Sequence, residues 1–209
     1  MAQLDPTVHI IDDDADVRRM VQTFVESAGL KASAYASAEE FLRSFDPAAP
    51  GCIILDICMP GMSGLDLQEK LAAQSAALPI IMISGQADVP MAVQAMRTGA
   101  IDVIGKPFSG QALVDRVREA LARDAEQRRL NSERADTLSR VARLTPRERE
   151  VLELIVAGKH TKAIAADLSL SPKTVESYRA SLMIKMGAEN VADLVRRYVA
   201  AGVSNSSES

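Results

Sequence analysis

The chain has 209 residues and a formal net charge of −4, and 47% of its residues are hydrophobic while only 3% are aromatic. This length and composition exclude a disordered or fibrous chain, and they suit one ordinary domain with a smaller one, or two small domains. No apolar run is long enough to cross a membrane and no signal peptide opens the chain, so we expect a cytoplasmic protein with no membrane partner.

The charges are distributed unevenly along the chain. Residues 1–123 contain 10 Lys and Arg against 16 Asp and Glu, whereas residues 144–209 contain 9 against 8. This difference indicates two units with different roles. The two cysteines, Cys52 and Cys58, are too few for a disulfide framework and lack the spacing of zinc ligands. We expect both to be small, buried, apolar side chains in a reducing compartment.

Strand and helix patterns alternate along the first half of the chain. Apolar runs predict strands at residues 8–12, 30–35, 52–56, 79–84 and 101–105. Helical patterns fall between them at 15–28, 38–45, 64–74 and 89–98, and a last helix begins near Ser109. Because the strands show no strict polar alternation, both of their faces should be covered, as in a parallel, doubly wound α/β sheet.

Local patterns refine the first two of these helices. Asp14 is the expected N-cap of the first helix, and Ser37 with Glu40 has the spacing of a capping box at the second. The first helix should end at Gly29 and bury one face. This face comprises Val17, Met20, Val21, Phe24 and Ala28.

Polar side chains stand at the carboxyl ends of the predicted strands: Asp12 and Asp13 at the first, Asp56 at the third, Ser84 at the fourth and Lys106 after the fifth. In a sheet of flavodoxin-like order 2-1-3-4-5, the first and third strands are neighbours at the switch point where ligands bind. Three carboxylates that lie close together need a cation, and an all-oxygen, partly hydrated site suits Mg²⁺ (or Mn²⁺). The sequence therefore predicts a metal site at this edge of the sheet.

Residues 7–122 resemble the receiver domain of two-component response regulators. The resemblance rests on Asp12-Asp13 with Arg18 downstream, the run LDICMPGMSGLDL that contains Asp56 and Gly64, the serine Ser84, and the pair Lys106-Pro107. It implies that a sensor histidine kinase phosphorylates Asp56, while Mg²⁺ and Lys106 neutralise the transferring oxygens.

The resemblance also implies roles for the neighbouring groups. The metal ligands would be Asp12, Asp13, Asp56 and the backbone carbonyl of Cys58, with Asp12 acting largely through water. The hydroxyl of Ser84 would move towards the phosphoryl group, and Lys106-Pro107 would be a cis peptide. Val103 stands where the family often has an aromatic switch residue, which leaves Ser84 and the loop after it as the expected switch.

The second half of the chain is predicted to be helical. Thr145 as N-cap, Pro146 at the first helical position and Glu148 three residues after the cap begin a helix that ends at Gly158. A second helix covers 161–169, a third runs from Ser171-Pro172 to Gly187, and a fourth spans about 190–201. The third should bury Val175, Tyr178, Leu182 and Met186. Two short helices, a tight turn and a longer helix make a helix-turn-helix.

Residues 144–202 resemble the LuxR-type DNA-binding domain through the runs LTPREREVLELIVAGK and KAIAADLSLSPKTVESYRASLMIKM. Joined to the receiver, the resemblance is to FixJ/NarL-type response regulators, and it favours the FixJ side. It implies a recognition helix at 172–186 whose phosphate contacts are Lys173, Thr174, Arg179 and Lys185. Glu176 and Ser177 hold base-reading positions, with Ala180 beside them on the outer face. Taken singly, the charges are also compatible with a solvated helix face.

Residues 109–143, between the two units, have helical spacing that does not follow a strict heptad. We interpret them as a long helical linker, and pairing in a dimer or a solvated flexible tether are open alternatives. The predicted domains are a receiver at 1–122, a linker at 123–143, a DNA-binding domain at 144–203 and a disordered tail at 204–209.

These features predict a DNA-binding transcriptional regulator that phosphorylation of Asp56 switches towards dimerisation and promoter binding. Its partners would be a sensor histidine kinase, double-stranded promoter DNA, a second copy of the chain and RNA polymerase. We expect no enzymatic activity apart from self-catalysed phosphorylation and dephosphorylation of the aspartate. His9 and His160 lack the partners that catalysis would need. An RNA-binding antiterminator and a phosphate sink without DNA affinity are the alternative functions.

Overall fold

The computed structural model describes residues 5–74, 78–85 and 89–202 of the chain. The chain divides into two compact units, residues 1–127 and 128–209. The predicted disordered tail at 204–209 lies outside the described residues. Within the described ranges, no helix is both long enough and apolar enough to cross a membrane.

Among the described residues, the first unit forms a five-stranded sheet with the order β2-β1-β3-β4-β5, and neighbouring strands are parallel. The strands are β1 (Thr7–Ile11), β2 (Lys31–Tyr35), β3 (Gly51–Asp56), β4 (Ile80–Ser84) and β5 (Asp102–Gly105). The predicted flavodoxin-like order is confirmed. It makes β1 and β3 neighbours, so their carboxyl ends lie side by side.

A helix follows each strand of this unit: α1 (Ala15–Ser27), α2 (Ala38–Ser44), α3 (Gly64–Ala73), α4 (Val89–Arg97) and α5 (Gly110–Ala142). The two predicted N-caps are confirmed. The Asp14 carboxylate accepts hydrogen bonds from two main-chain nitrogens of the first turn of α1, and the Ser37 hydroxyl accepts from the main-chain nitrogen of Glu40. These caps satisfy amide groups that the helices leave without an internal partner.

Alternate residues of the central strands point to opposite faces of the sheet, and a hydrophobic core covers each face. One core joins the strand residues Val8, Ile10, Cys52, Ile54, Ile81 and Ile83 to α1 and α5. The other joins Ile11, Ile53, Leu55, Ile80 and Met82 to α2, α3 and α4. This two-sided burial is the reason that the strands read as continuous apolar runs.

The buried face of α1 differs from the prediction at two positions: Met20 is exposed, and Val25, which the prediction did not include, is buried. Val21 and Val25 are fully buried, whereas Met20 is 40% exposed. At about 100° per residue, Met20 lies roughly 120° around the helix from the midpoint between those two valines. The prediction for Met20 was therefore wrong, because the buried stripe of the helix is centred between Val21 and Val25 and not on the middle of the predicted apolar face.

The two cysteines lie in different surroundings. Cys52 is fully buried within β3, as predicted, and its burial raises the pKa of the thiol to about 12. Cys58 is exposed, so its predicted burial was wrong. It lies in the loop between β3 and α3, where its neighbours Ile57 and Met59 occupy the buried positions and its own side chain is left at the surface.

The second unit is a helical bundle that contains α6 (Pro146–Val156), α7 (Thr161–Asp167), α8 (Pro172–Met186) and α9 (Val191–Ala200). Thr145 and Glu148 form the predicted capping box at the start of α6. Gly187 ends α8 in the left-handed conformation, with a φ of 61°. On α8, Val175, Leu182 and Met186 are buried in the core and Tyr178 is partly buried against it.

The helix α5 continues without a break over 33 residues. Its first turns belong to the core of the first unit through Leu113 and Val117, and Val141 near its end belongs to the core of the helical unit. Between these stretches, ion pairs four residues apart join Glu119 to Arg123 and Asp136 to Arg140. Such pairs stabilise an exposed helix. The predicted helical linker is confirmed as a helix, while its pairing in a dimer stays a prediction.

Candidate functional site

The carboxyl ends of β1, β3 and β5 bring three acidic side chains and a lysine to one edge of the sheet. Asp12 and Asp13 follow β1, Asp56 is the last residue of β3, and Lys106 follows β5. One carboxylate oxygen from each of the three aspartates lies within 4.8 Å of the others. The cluster that the strand ends predicted is therefore present.

Lys106 connects two of these carboxylates. Its Nζ donates to Asp12 Oδ2 at 2.8 Å and to Asp56 Oδ2 at 3.1 Å. Both carboxylates are buried, since Asp12 is fully inaccessible and Asp56 is 6% exposed, whereas Asp13 is exposed. A buried carboxylate is unfavourable unless a positive charge or hydrogen bonds stabilise it, and Lys106 provides both.

The electrostatic balance at this edge follows from burial and from Lys106. Burial raises the pKa of Asp12, and the hydrogen bond and charge of Lys106 oppose that rise. For Lys106, burial acts to lower the pKa, but the carboxylates of Asp12 and Asp56 outweigh it and the net shift is upward. The ammonium group therefore stays charged at neutral pH.

Main-chain contacts hold the two carboxylate-bearing strand ends in place. Arg18 Nη1 donates to the main-chain oxygen of Asp12 at 2.6 Å, and the main-chain nitrogen of Asp14 donates to Asp12 Oδ1 at 2.9 Å. Gly64, the first residue of α3, lies against the end of β3: a Cβ at this position would be 2.1 Å from the carbonyl oxygen of Asp56. Any side chain at residue 64 would displace the backbone that carries Asp56.

Ser84 and Cys58, the other two predicted site residues, flank the acidic cluster. Ser84 ends β4, is 1% exposed, and its main-chain oxygen accepts a hydrogen bond from the nitrogen of Lys106 at 2.7 Å. The Lys106-Pro107 peptide is cis. The main-chain nitrogen of Cys58 donates to Asp56 Oδ1 over a long 3.4 Å. Ser84 thus lies beside the backbone of Lys106, and Cys58 lies beside the carboxylate of Asp56.

The cluster fits a divalent cation by charge and by donor type. Three carboxylates and one ammonium leave two net negative charges, which one divalent cation balances. The side-chain donors are all oxygens, as Mg²⁺ prefers, and the exposed Asp13 leaves one side open for metal-bound water. Asp12, Asp13 and Asp56 would hold the ion.

The α4 helix presents an apolar surface next to β5. Val89, Val93 and Met96 are 77%, 50% and 48% exposed, and together with Val103 of β5 they line a shallow groove. Exposed apolar residues that form a continuous patch commonly mark an interaction surface.

The outer face of α8 carries four of the predicted DNA contacts in exposed positions: Lys173, Glu176, Ser177 and Ala180. At about 100° per residue, Lys173, Ser177 and Ala180 lie within an arc of roughly 60° and form one row. The other predicted contacts on the first half of the helix, Thr174 and Arg179, are partly buried. The Thr174 hydroxyl lies 2.8 Å from that of the N-cap Ser171. Among the described residues, no carboxylate pairs with Lys173 or Arg179.

Lys185, the last predicted DNA contact, has a partner within the protein. Its Nζ lies 2.7 Å from the carboxylate of Glu148, which is buried at the start of α6. The sequence identified Glu148 only as a capping residue, and no local signal pointed to Lys185 as its partner. Lys162, in the first turn of α7, is a further exposed cation of the helix-turn-helix that the prediction did not include.

Two protein families match the chain. Residues 8–118 match the response regulator receiver domain, and residues 142–206 match the bacterial regulatory proteins of the luxR family. The two matches cover the α/β unit with its acidic edge and the helical unit with α8. They favour the predicted transcriptional regulator over both alternative functions, the RNA-binding antiterminator and the phosphate sink.

Individual relatives match nearly the whole chain. The transcriptional regulatory protein FixJ of Azorhizobium caulinodans is 46% identical over 94% of this chain and 93% of its own length. Nodulation protein W of Bradyrhizobium diazoefficiens is 41% identical over 94% of this chain and 87% of its own. The structure of the response regulator StyR has a TM-score of 0.82 and 38% identity, covering 93% of this chain and 98% of that one. Full-length FixJ from B. japonicum has a TM-score of 0.59 and 36% identity, covering 97% and 100%.

The fold, the acidic edge and these similarities agree with one another along the length of the chain. The receiver match explains why carboxylates gather at a sheet edge, since receiver domains generally bind Mg²⁺ at their acidic phosphorylation site. The luxR match gives the helical unit its role in binding DNA, and the receiver implies a histidine kinase as partner. The chain therefore belongs to the FixJ-like response regulators, two-component transcriptional regulators that join a receiver domain to a LuxR-type DNA-binding domain.

Proposed function

We propose that Asp56 is the phosphoryl acceptor that switches this regulator. The observation that carries the proposal is the bridge from Lys106 Nζ to the carboxylates of Asp12 and Asp56, with Asp13 in the same cluster. A strand-end aspartate that only capped a helix would need neither a buried lysine nor two further carboxylates. Asp56 instead lies among charges that suit the stabilisation of a phosphoryl group.

The chemistry follows from these groups. A carboxylate oxygen of Asp56 attacks the phosphorus of a phosphohistidine or of a small phosphoryl donor. The bond from phosphorus to the donor atom breaks, the donor leaves with the electron pair, and an acyl phosphate forms on Asp56. Lys106 stabilises the negative charge on the transferring oxygens, and Mg²⁺, when bound, supplies the remaining charge neutralisation. Asp12, Asp13 and the backbone carbonyl of Cys58 complete the proposed metal site. Self-catalysed hydrolysis of the acyl phosphate would reset the switch.

The new charge then acts on the neighbouring strand and helix. A phosphoryl group adds about −1.5 to −2 charges and three acceptor oxygens at the sheet edge. The hydroxyl of Ser84, at the end of β4, would donate to one of those oxygens. Because Ser84 is hydrogen bonded through its main chain to Lys106, its movement would alter β5 and the adjoining apolar surface of α4. That surface would pair with its copy in a second chain.

Dimerisation would allow two α8 helices to read a two-fold promoter site in the major groove. Lys173, Thr174 and Arg179 would anchor α8 to DNA phosphates, and Glu176, Ser177 and Ala180 would face the base edges. We retain 1–122, 123–143 and 144–203 as the limits of the receiver, linker and DNA-binding domains. RNA polymerase is the proposed partner at the promoter.

The first experiment measures phosphorylation and DNA binding together. We expect a small acyl phosphate donor with Mg²⁺ to add one phosphoryl group to the full chain and to tighten its binding to duplex DNA selected from a random pool. Asp56→Asn should abolish both effects, while Asp115→Asn, which alters an exposed carboxylate of α5, should abolish neither. Phosphorylation of Asp56→Asn at the normal rate, or equal affinity with and without the donor, would overturn the proposal.

The second experiment tests the metal site through stability. At a Mg²⁺ concentration about 100 times its dissociation constant, the ion should stabilise the receiver domain by about 2.7 kcal/mol. Asp13→Asn removes a proposed ligand that is exposed, so it should weaken this effect with little change in the fold. Equal stabilisation by Mg²⁺ in both proteins would contradict the assignment of Asp13.

The third experiment separates the two proposed modes of dimerisation. Met96→Glu places a charge on the apolar surface of α4, and Leu130→Glu places one on an exposed apolar position of α5. If the α4 surface pairs, only Met96→Glu should keep the phosphorylated chain monomeric in sedimentation. Loss of the dimer in Leu130→Glu alone would instead support pairing of the long helix.

A further inference from the structure

The carboxylate of Glu148 connects the start of α6 to the second half of α8. Glu148 is 4% exposed, and both of its oxygens are occupied. Lys185 Nζ lies 2.7 Å from the carboxylate, and the Ser181 hydroxyl donates to Oε1 at 2.8 Å. The main-chain nitrogen and the hydroxyl of Thr145 both donate to Oε2 at 2.9 Å. One buried carboxylate therefore accepts from two side chains of α8 and from the cap of its own helix.

This contact is charged under ordinary conditions. The hydrogen bond from Lys185 is the largest cause that lowers the pKa of Glu148 to about 2, and the hydrogen bonds from Thr145 and Ser181 add to it. Hydrogen bonds between ionised groups are short and roughly twice as strong as those between neutral groups. Breaking the pair would leave a buried carboxylate without its counter-charge, which is strongly unfavourable.

Ser181 and Lys185 lie on a different side of α8 from the outer face. They are one turn apart, and at about 100° per residue they point roughly a quarter turn away from the row formed by Lys173, Ser177 and Ala180. The ammonium of Lys185 is thus directed towards α6, while the exposed row is left for another molecule. A lysine that already neutralises a buried carboxylate is a poor donor to a DNA phosphate.

We propose that Glu148 and Lys185 are positioning residues. They fix the rotation of α8 about its own axis and the distance by which it projects from the helical unit, and Lys185 makes no phosphate contact. The inference rests on the proposed role of α8 as the recognition helix. Apolar contacts such as those of Val175 and Leu182 hold the helix against the core, but they are not directional. The charged hydrogen bonds to Glu148 are directional, and they fix the orientation of the outer face.

A second contact at the same end of α8 agrees with this role. Arg140 of α5 donates to the carbonyl oxygen of Lys185 at 3.4 Å, and its guanidinium lies over Gly187. A Cβ at Gly187 would be 2.5 Å from Nη1 of Arg140. The last turn of α8 is therefore held through the side chain of Lys185, which bonds to Glu148, and through its carbonyl oxygen, which accepts from Arg140. The first turns of α8 carry the exposed row.

The test compares Lys185→Gln with Lys173→Gln in the full chain. Binding is measured over a range of salt concentrations to a duplex selected from a random pool by the unsubstituted protein, and to a scrambled duplex of the same composition. Log affinity falls as log salt rises, and removing a phosphate contact should make this slope shallower by about 0.9 on both duplexes. We expect that result for Lys173→Gln. For Lys185→Gln we expect about tenfold weaker binding to the selected duplex, with the slope and the affinity for the scrambled duplex unchanged.

Further variants separate positioning from a general loss of stability. Arg197→Gln removes one of the two arginines that pair with the buried Asp193 of α9, and it should leave the preference for the selected duplex intact. Ser181→Ala removes only a neutral donor and should reduce that preference about threefold. In a Glu148→Gln background, Lys185→Gln should have no additional effect, because its charge partner is already absent.

The outcomes distinguish this inference from the proposed function. A slope reduced by about 0.9 in Lys185→Gln, as for a phosphate contact, would overturn the inference and leave α8 as the recognition helix. Unchanged preference for the selected duplex in Lys185→Gln would overturn it as well. Failure of the unsubstituted protein to prefer any duplex would overturn the proposed function, and the inference with it.

Discussion

Asp124 provides the strongest test of how α5 is attached to the receiver sheet. It is 3% exposed, and its Oδ2 accepts a hydrogen bond of 3.0 Å from the main-chain nitrogen of Gly51, the first residue of β3. Gly51 is itself buried. Asp124→Ala would therefore remove the acceptor of a buried amide group that water cannot reach.

The size of the effect follows from the kind of bond that is lost. A hydrogen bond to a charged group contributes about 1.5 to 3 kcal/mol, and a buried donor left without a partner loses its solvation as well. We expect Asp124→Ala to lower the free energy of unfolding of the receiver domain by about 2 to 3 kcal/mol. Asp124→Asn keeps an oxygen acceptor and should lower it by only about 1 kcal/mol.

The matched control is Asp115→Ala, on the same helix, where the side chain is 59% exposed. Both substitutions change the intrinsic helix propensity of α5 by the same amount, so the difference between them reports the contacts of the buried Asp124 carboxylate, which include its hydrogen bond to Gly51. The control should change stability by no more than about 0.5 kcal/mol.

The assay is hydrogen exchange by mass spectrometry over a series of urea concentrations. Peptides from β1 and β3 report opening of the receiver domain, and peptides from α8 and α9 serve as an internal reference that Asp124→Ala should leave unchanged. If Asp124→Ala and Asp115→Ala were equally stable, the argument that this hydrogen bond anchors α5 to β3 would be refuted.

Three other predictions rest on burial and protonation. A thiol-specific reagent should modify the exposed Cys58 quickly and Cys52 only after unfolding, because Cys52 is fully buried and its pKa is about 12; two fast thiols in the native protein would contradict this. Since the pKa of Glu148 is lowered from 4.5 to about 2, its contribution to the stability of the helical unit should be complete above pH 4.5 and should decline as the pH falls towards 2. Glu148→Gln should flatten that part of the stability profile measured by hydrogen exchange, and identical profiles would disprove the assignment. Burial lowers the pKa of His9 from 6.5, so protonation opposes folding and the receiver should lose stability as the pH falls below 6.5; an imidazole that titrates above 6.5 by NMR would contradict this.

Much of the fold was accessible from local patterns. Apolar runs and helical periodicity located the strands and helices of both units, and the N-caps Asp14, Ser37 and Thr145 were correct because each cap contacts residues only two or three positions away. Met20 and Cys58 were assigned to the interior and are exposed. Both errors have the same source, since an apolar side chain does not by itself specify whether another element covers it.

The candidate site was predictable to a different degree in the two units. In the receiver, a parallel sheet brings the carboxyl ends of all its strands to one edge, so the placement of Asp12, Asp56 and Lys106 followed from topology. On α8, the exposed row followed from helical periodicity. The ion pair between Lys185 and Glu148 could not be predicted in this way, because periodicity indicates which way a side chain points but not which residue it contacts.

The sequence by itself determined the order of the elements, their caps, the positions of the polar residues at the strand ends and the outward row of α8, because these depend on residues close together in the chain. Only the tertiary structure decided that Asp12 is fully buried beside Lys106, 94 residues away, while the adjacent Asp13 remains exposed. It also decided that Asp124 bonds to Gly51, 73 residues away, and that Lys185 binds Glu148, 37 residues away. Contacts over such separations depend on how whole elements pack, and a local pattern carries no record of that packing.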